Sequence, residues 1–124
     1  MSLDRRISQR NYYHRVSKYN EVRNFCNNFR KKINRYLNGK KCNSTETMDI
    51  LGIDIESYIT HLELQFKEGM NWKNKGYYGW HIDHIIPLST AKTIEEVIPL
   101  LHFSNTQPLW MKENLIKNNK ILSD

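Results

Sequence analysis

A row of apolar residues in the front third of the chain, Val16, Tyr19, Val22, Cys26, Phe29, Ile33 and Leu37, recurs at steps of three and four. That period puts them along one side of a single long helix, and Asn38-Gly39 is its stop signal. Cys26 falls on the stripe, which predicts a buried thiol rather than a ligand or a nucleophile. Arg23, Arg30, Lys31 and Arg35 are left for the outer faces. Charge changes at the same boundary. Residues 1–42 hold 12 Lys and Arg against Asp4 and Glu21, a net +10, whereas residues 43–124 hold 7 against 11 acids, a net −4. The front is a basic helical arm. Its cations, Arg30, Lys31, Lys32 and Arg35 foremost, are interleaved with Tyr12, Tyr13, Tyr19, Phe25, Phe29 and Tyr36, a mixture suited to phosphate contacts with stacking on a nucleic acid. A solvated helix with an aromatic inner stripe accounts for the same residues, and the two readings are compatible.

The whole chain of 124 residues, 39% hydrophobic, fits one domain with a modest core. No run approaches the roughly 18 apolar residues of a membrane span, and the opening "MSLDRRISQRNYY" has no apolar signal segment. The sequence therefore predicts an intracellular protein with no membrane partner. Cys26 and Cys42 form no CxxC pair and cannot fill a four-ligand zinc cage; free thiols are expected of both. Residues 43–75 form a helical lead-in. Asn43 with Glu46 resembles a capping box for a short helix ending at Gly52. Asp54 caps another, with Ile55, Ile59, Leu62 and Phe66 on one face and Gly69 as its close. His61 lies off that face and reads as a surface residue. No repeat or low-complexity segment is visible.

The segment "WHIDHIIPLS" (80–89) is a strand in which alternation sends Trp80 and Ile82 to one side and His81 and Asp83 to the other. Pro87 stops it after Ile86. Asp83 and His84 then sit at or near its end, where adjacent side chains point apart. Such a pair can flank a small target, with a cation held by the carboxylate and a water activated by the imidazole. Downstream, "HFSNTQPLWMKENLIKNNK" spaces Asn105 and Asn114 nine apart, with Lys117 three further on. On a helix Asn114, Lys117 and Lys120 share a face, with Met111, Leu115 and Leu122 on another. Between them, Thr93 and Glu96 form a capping box for a short helix that Pro99 limits. His102, Phe103, Trp80 and Trp110 read as packing residues.

Asp-His-Ile-x-Pro, a later Asn and a closing Asn-x-x-Lys, in that order, resemble the HNH endonuclease family, whose strand–loop–strand–helix unit is the ββα-metal fold. The upstream "LGIDIESYITHLELQFKEGMNW" looks like the lead-in of small HNH proteins of phages and prophages, so the likeness covers roughly residues 50–120. It implies over residues 76–122 a two-stranded antiparallel hairpin with a closing helix, which with the basic helical front, outside the likeness, makes an α+β fold. It implies Asp83 and Asn114 as metal ligands, His84 as general base and Asn105 as the residue that orients His84. A carboxylate and an amide oxygen are hard donors that favour Mg²⁺, with Mn²⁺ also suitable. Direct ligation by His81 makes Zn²⁺ or Ni²⁺ more competitive; a phosphate contact or a packing role are its other readings. Lys117 and Lys120 are offered to phosphate.

The expectation is thus a metal-dependent endonuclease of DNA, leaving 5′-phosphate and 3′-hydroxyl ends, in the cytoplasm of a bacterial host and of phage or prophage origin. Two alternatives stay open: a DNA-binding or packaging accessory protein with the fold and little catalysis, and a nuclease of RNA. A monomer or a homodimer fits equally. Members that brace the unit with zinc use two cysteine pairs, and this chain departs from them.

Overall fold

A computed structural model describes the backbone of residues 2–123 and the side chains of residues 20–117. The apolar stripe makes one helix, α1 (Ser2–Leu37). Val22, Cys26, Phe29, Ile33 and Tyr36 on it are buried. Tyr36, not Leu37, closes the buried stripe, and Leu37 is half-buried. Val16 and Tyr19 lie outside the described side chains. Burial raises the pKa of the Cys26 thiol, against a smaller lowering by Arg30; Cys42 is exposed, and both thiols are free.

Two short helices follow, α2 (Thr45–Leu51) and α3 (Ile55–Glu63). Ser44, one residue later than expected, caps α2 by accepting from Thr47 N–H at 3.2 Å. Its side chain sits at the right reach because the first helical residue is Thr45, not Ser44. The C-cap is Gly52 at φ 84°, where a Cβ would lie 2.3 Å from His102 Nε2. Both the left-handed backbone and the close approach thus require glycine. Asp54 caps α3 through Ser57 N–H at 2.7 Å. That helix ends at Glu63, short of Gly69, and buries Tyr58 and Leu62. Of the expected 55/59/62/66 face, Leu62 is fully buried and Ile55 and Phe66 are half-buried against the core, and Tyr58 is buried beside them. Packing against Thr106 selects Tyr58, whose hydroxyl donates to Thr106 Oγ1 at 3.0 Å and whose pKa burial pushes up to about 12.

The back end is a two-stranded antiparallel sheet of β1 (Trp80–His84) and β2 (Thr106–Trp110). In its register Trp80 faces Trp110, His81 Leu109, Ile82 Pro108, Asp83 Gln107 and His84 Thr106. Between the strands lies α4 (Ile94–Val97), capped by Thr93 as expected, running into a 3-10 turn over Ile98–Leu101 that holds Pro99. A closing helix, α5 (Met111–Ser123), follows β2 directly. The fold is α+β.

Leu51, Tyr58, Leu62, Val97 and Leu101 meet the α1 stripe in one apolar cluster. Trp80 is fully buried, donates Nε1–H to Asn71 O at 2.7 Å, and packs edge-on to Phe66 and Trp72. Trp110 is only half-buried, so it is not the core residue expected, and Leu115 is exposed. The α5 face that meets the hairpin is the polar one. Leu122 lies outside the described side chains. Among the described residues no helix is long and apolar enough to cross a membrane.

Candidate active site at the end of the first strand

Strand pairing decides where the polar residues of "WHIDH" go. The pleat turns Asp83 with Gln107 toward α5, and His84 with Thr106 toward α1 and α3. Strand β1 ends at His84, two residues before the expected limit, because Asn105 takes over the ladder. Its carbonyl accepts from Ile85 N–H at 2.9 Å and its side-chain Oδ1 from Ile86 N–H at 2.9 Å. Its Nδ2 donates to Ile86 O at 3.1 Å and Leu100 O at 2.8 Å. Asn105 is buried and makes no hydrogen bond to the His84 ring. The expected ring contact is thus corrected. Asn105 positions His84 through the backbone just beyond it, because its amide is already engaged by the turn.

On the α5 side, Asp83 is 8% exposed. Its Oδ2 accepts from Lys117 Nζ at 2.7 Å and Gln107 Nε2 at 3.0 Å. Lys117 Nζ also donates to His84 O at 2.8 Å. Lys117 is therefore an internal partner of the carboxylate rather than a free phosphate contact. A buried charge needs such pairing. Oδ1 accepts no hydrogen bond among the described residues. Asn114 is half-buried one helical turn before Lys117, which puts it on the same helix face as Lys117. The described residues contain no group of three His, Cys, Asp or Glu suited to a metal. A carboxylate and an amide are hard oxygen donors, of the kind that suit Mg²⁺ or Mn²⁺.

His81 does not join them. Its Nε2 lies 2.9 Å from Tyr77 O; a carbonyl only accepts, so Nε2 carries the proton and is turned to the 76–79 loop. This excludes Nε2 from a metal shared with Asp83. That loop is tied down by Gly76 N–H to Trp80 O, Gly79 N–H to Gly76 O and Met111 N–H to Gly79 O, at 3.1, 3.1 and 2.9 Å. A Cβ on Gly79 would lie 1.6 Å from Asn74 O, so no side chain fits there.

On the α1 side, the His84 ring lines a cavity of about 350 Å³ between α1 and β1. Phe29, Ile33, Trp80 and Ile82 are among its apolar walls, and Arg30, Asn34, Lys75 and Tyr77 line it with His81 and His84. The His84 pKa is lowered to about 4, first by burial and next by the Arg30 guanidinium; Asp83 opposes and Lys117 adds a little. The imidazole is thus neutral at physiological pH. Lys75 Nζ donates to Asn34 Oδ1 at 2.9 Å and lies 5.9 Å from the Trp80 ring; burial lowers its pKa. A second hollow along α1 is lined by Arg23, Asn27, Arg30 and Lys92 among others. Among the described residues, neither hollow is lined by an acid.

Of the described arm cations, only Arg30 lines the His84 cavity. Helical geometry turns Lys31, Lys32 and Arg35 roughly 100–200° away from it, and all are exposed. Lys120 lies outside the described side chains. Arg23, Asn27, Asn34, Lys75, Tyr77 and Gln107 were not singled out from the sequence. Arg23 and Arg30, like Asn27 and Asn34, are seven apart, a polar row beside the apolar stripe that was legible. Lys75, Tyr77 and Gln107 gave no such signal. His61, expected on the surface, is half-buried between the Tyr58 and Phe103 rings, at 5.9 and 5.2 Å between centroids. It is held there because Phe103 and Thr106 come back over α3.

No family model matches the chain. It is similar to two uncharacterized proteins of Acanthamoeba polyphaga mimivirus. One is 44% identical over 83 residues, 65% of this chain and 36% of the relative. The other is 34% identical over 88 residues, 69% of this chain and 38% of the relative. The chain thus spans little more than a third of the length of the curated relatives it matches. No solved structure matches.

Proposed function

We propose that the chain is a metal-dependent phosphodiesterase of the HNH type acting on DNA. The observation that carries this reading is the juxtaposition at the end of β1. A neutral imidazole faces an acid-free cationic hollow, while the next residue back offers a carboxylate to the closing helix on the other side.

In this reading His84 accepts a proton from water as the water oxygen bonds to phosphorus and the bond from phosphorus to the 3′ oxygen breaks. The leaving oxygen takes its proton from solvent, giving 5′-phosphate and 3′-hydroxyl ends. A low pKa makes His84 a weak base in the free protein. A phosphate beside Arg30 offsets the guanidinium charge and moves that pKa back up. Arg30 binds the phosphoryl oxygens electrostatically. Asp83 and Asn114 are the residues that would hold Mg²⁺ or Mn²⁺. Such an ion supplies charge stabilisation on the phosphoryl and leaving oxygens. Asn105 fixes the backbone that carries His84. The row Arg23–Arg30 supplies contacts to neighbouring phosphates.

A second reading, a DNA-binding accessory protein with little catalysis, is favoured by one feature: Lys117 already compensates the Asp83 charge. Incubation of supercoiled plasmid with the full chain and Mg²⁺ or Mn²⁺ separates the two. Nicking that a chelator abolishes is the expected result. Binding without any cleavage sinks the nuclease reading, and faster cleavage of a matched RNA reassigns the substrate.

A further inference from the structure

We propose that the cavity between α1 and β1 receives an unpaired nucleotide next to the scissile phosphate, with its base against the apolar wall and Tyr77, and its phosphate at the Arg30 and Lys75 rim. This rests on the nuclease reading and deepens it by naming the state of the substrate strand.

Three observations converge on it. The cavity's charged lining is cationic, with Arg30 and Lys75 and no acid. Lys75 is the sharper of the two, because among the described residues its half-buried ammonium is met by neutral groups, the Asn34 amide oxygen and the Trp80 ring face. A cation at the rim of an apolar cavity without a counter-charge beside it is free to pair with an anion. The inner wall is apolar and aromatic, with Phe29, Ile33 and Trp80, which suits a planar base and not a phosphate. At about 350 Å³ the space admits one nucleotide-sized group and no duplex.

The third observation concerns Tyr77, which lines the cavity while being 74% exposed, with Tyr78 beside it at 85%. The rings pack edge to face at 4.8 Å between centroids, on a loop fastened at Gly76, Gly79 and His81. Large aromatic rings held out in water on a tethered loop offer a stacking surface that loses little entropy on use. A base paired inside a duplex cannot reach the cavity, so the fit selects a strand that is single or locally opened.

The test uses the full chain in chelator, where DNA is bound and not cut, with three probes of one sequence: a single strand, a fully paired duplex, and a duplex with one unpaired 2-aminopurine. The parent chain should bind the single strand and the unpaired site roughly 5- to 100-fold more tightly than the paired duplex, the range that stacking of one base on an aromatic ring covers. The probe's fluorescence should be quenched on binding. Tyr77→Ala, at an exposed position that leaves the core intact, should erase that preference and the quenching while the paired duplex binds as before. Lys75→Gln should weaken the unpaired probe more than the paired one. Equal affinity of the parent for all three probes overturns the proposal and leaves the nuclease reading standing, as does an equal loss for all three in Tyr77→Ala. A parent that binds no DNA removes both.

Discussion

The two faces of β1 handle charge in opposite ways. Toward α5, Asp83 meets the Lys117 ammonium at 2.7 Å and the Gln107 amide at 3.0 Å. The charges there are matched in pairs. Toward α1, His84 shares a cavity with Arg30 and Lys75 and, among the described residues, with no acid. The matched face holds its own residues in place, whereas the unmatched face is the one proposed to take an anion. A strand's alternation makes this division possible, because consecutive residues enter different environments.

The sharpest way to break the comparison is to remove each strand residue in turn. His84→Ala should cut cleavage by on the order of 10²–10⁴, the worth of a positioned general base, with metal and DNA affinity nearly unchanged. Asp83→Ala should instead lose metal affinity, since it removes one of two protein oxygens. Calorimetric titration with Mn²⁺ beside single-turnover cleavage reads both. Equal losses of metal affinity in the two variants would merge the faces into one site.

A smaller effect is expected at Asn105, which serves both faces through the backbone. Asn105→Ala deletes three part-buried hydrogen bonds and should destabilise the chain by about 2–4 kcal/mol, measured by denaturant unfolding. A loss within error would show that the turn after β1 holds without it.

Lys117→Met removes the cation from Asp83 and should cost about 1–3 kcal/mol in chelator, the range for leaving a buried polar group unmatched. Added Mn²⁺ should then raise the melting temperature of Lys117→Met more than that of the parent, because the ion replaces the missing positive charge. An equal rise in both would separate Lys117 from the cation site.

The last expected effect is on pH dependence. With a folded pKa of about 4 against an ordinary 6.5, His84 takes up its proton in the unfolded chain first. Its contribution to stability is full above pH 6.5, falls as pH drops toward 4, and levels off below. Unfolding of the chelated parent and of His84→Ala between pH 7 and 4 isolates it: the parent should lose more stability over that range. Parallel curves would place His84 in water rather than in the cavity.

Much of the architecture was legible because it rests on local rules. The 3-and-4 spacing of Val22, Cys26, Phe29 and Ile33 specifies the buried side of α1 whatever packs on it. Asp54, Gly52 and Thr93 cap their helices with their own side chains or backbone. The cap at Ser44 instead of Asn43 is a one-residue local difference, whereas the burial of Tyr58 beside Leu62 was settled by Thr106, 48 residues away. The site was legible by halves. Asp83 and His84 stand side by side in the chain, so their division between two faces follows from alternation. What each face contains does not, because Lys117 lies 34 residues from Asp83 and Arg30 comes from the arm.

The sequence by itself determined the helices and their caps, the strand around Asp83 and His84, and the basic front. Tertiary structure decided that Asn105 clasps the turn beyond His84 rather than its ring and that His81 turns to Tyr77. It also decided that Lys117 answers Asp83 and that Arg30, alone among the described arm cations, lines the His84 cavity. The physical reason is one of range. Periodicity and capping act within a few residues along the chain, while pairing of charges and desolvation depend on which distant segments the fold brings to the same few ångströms.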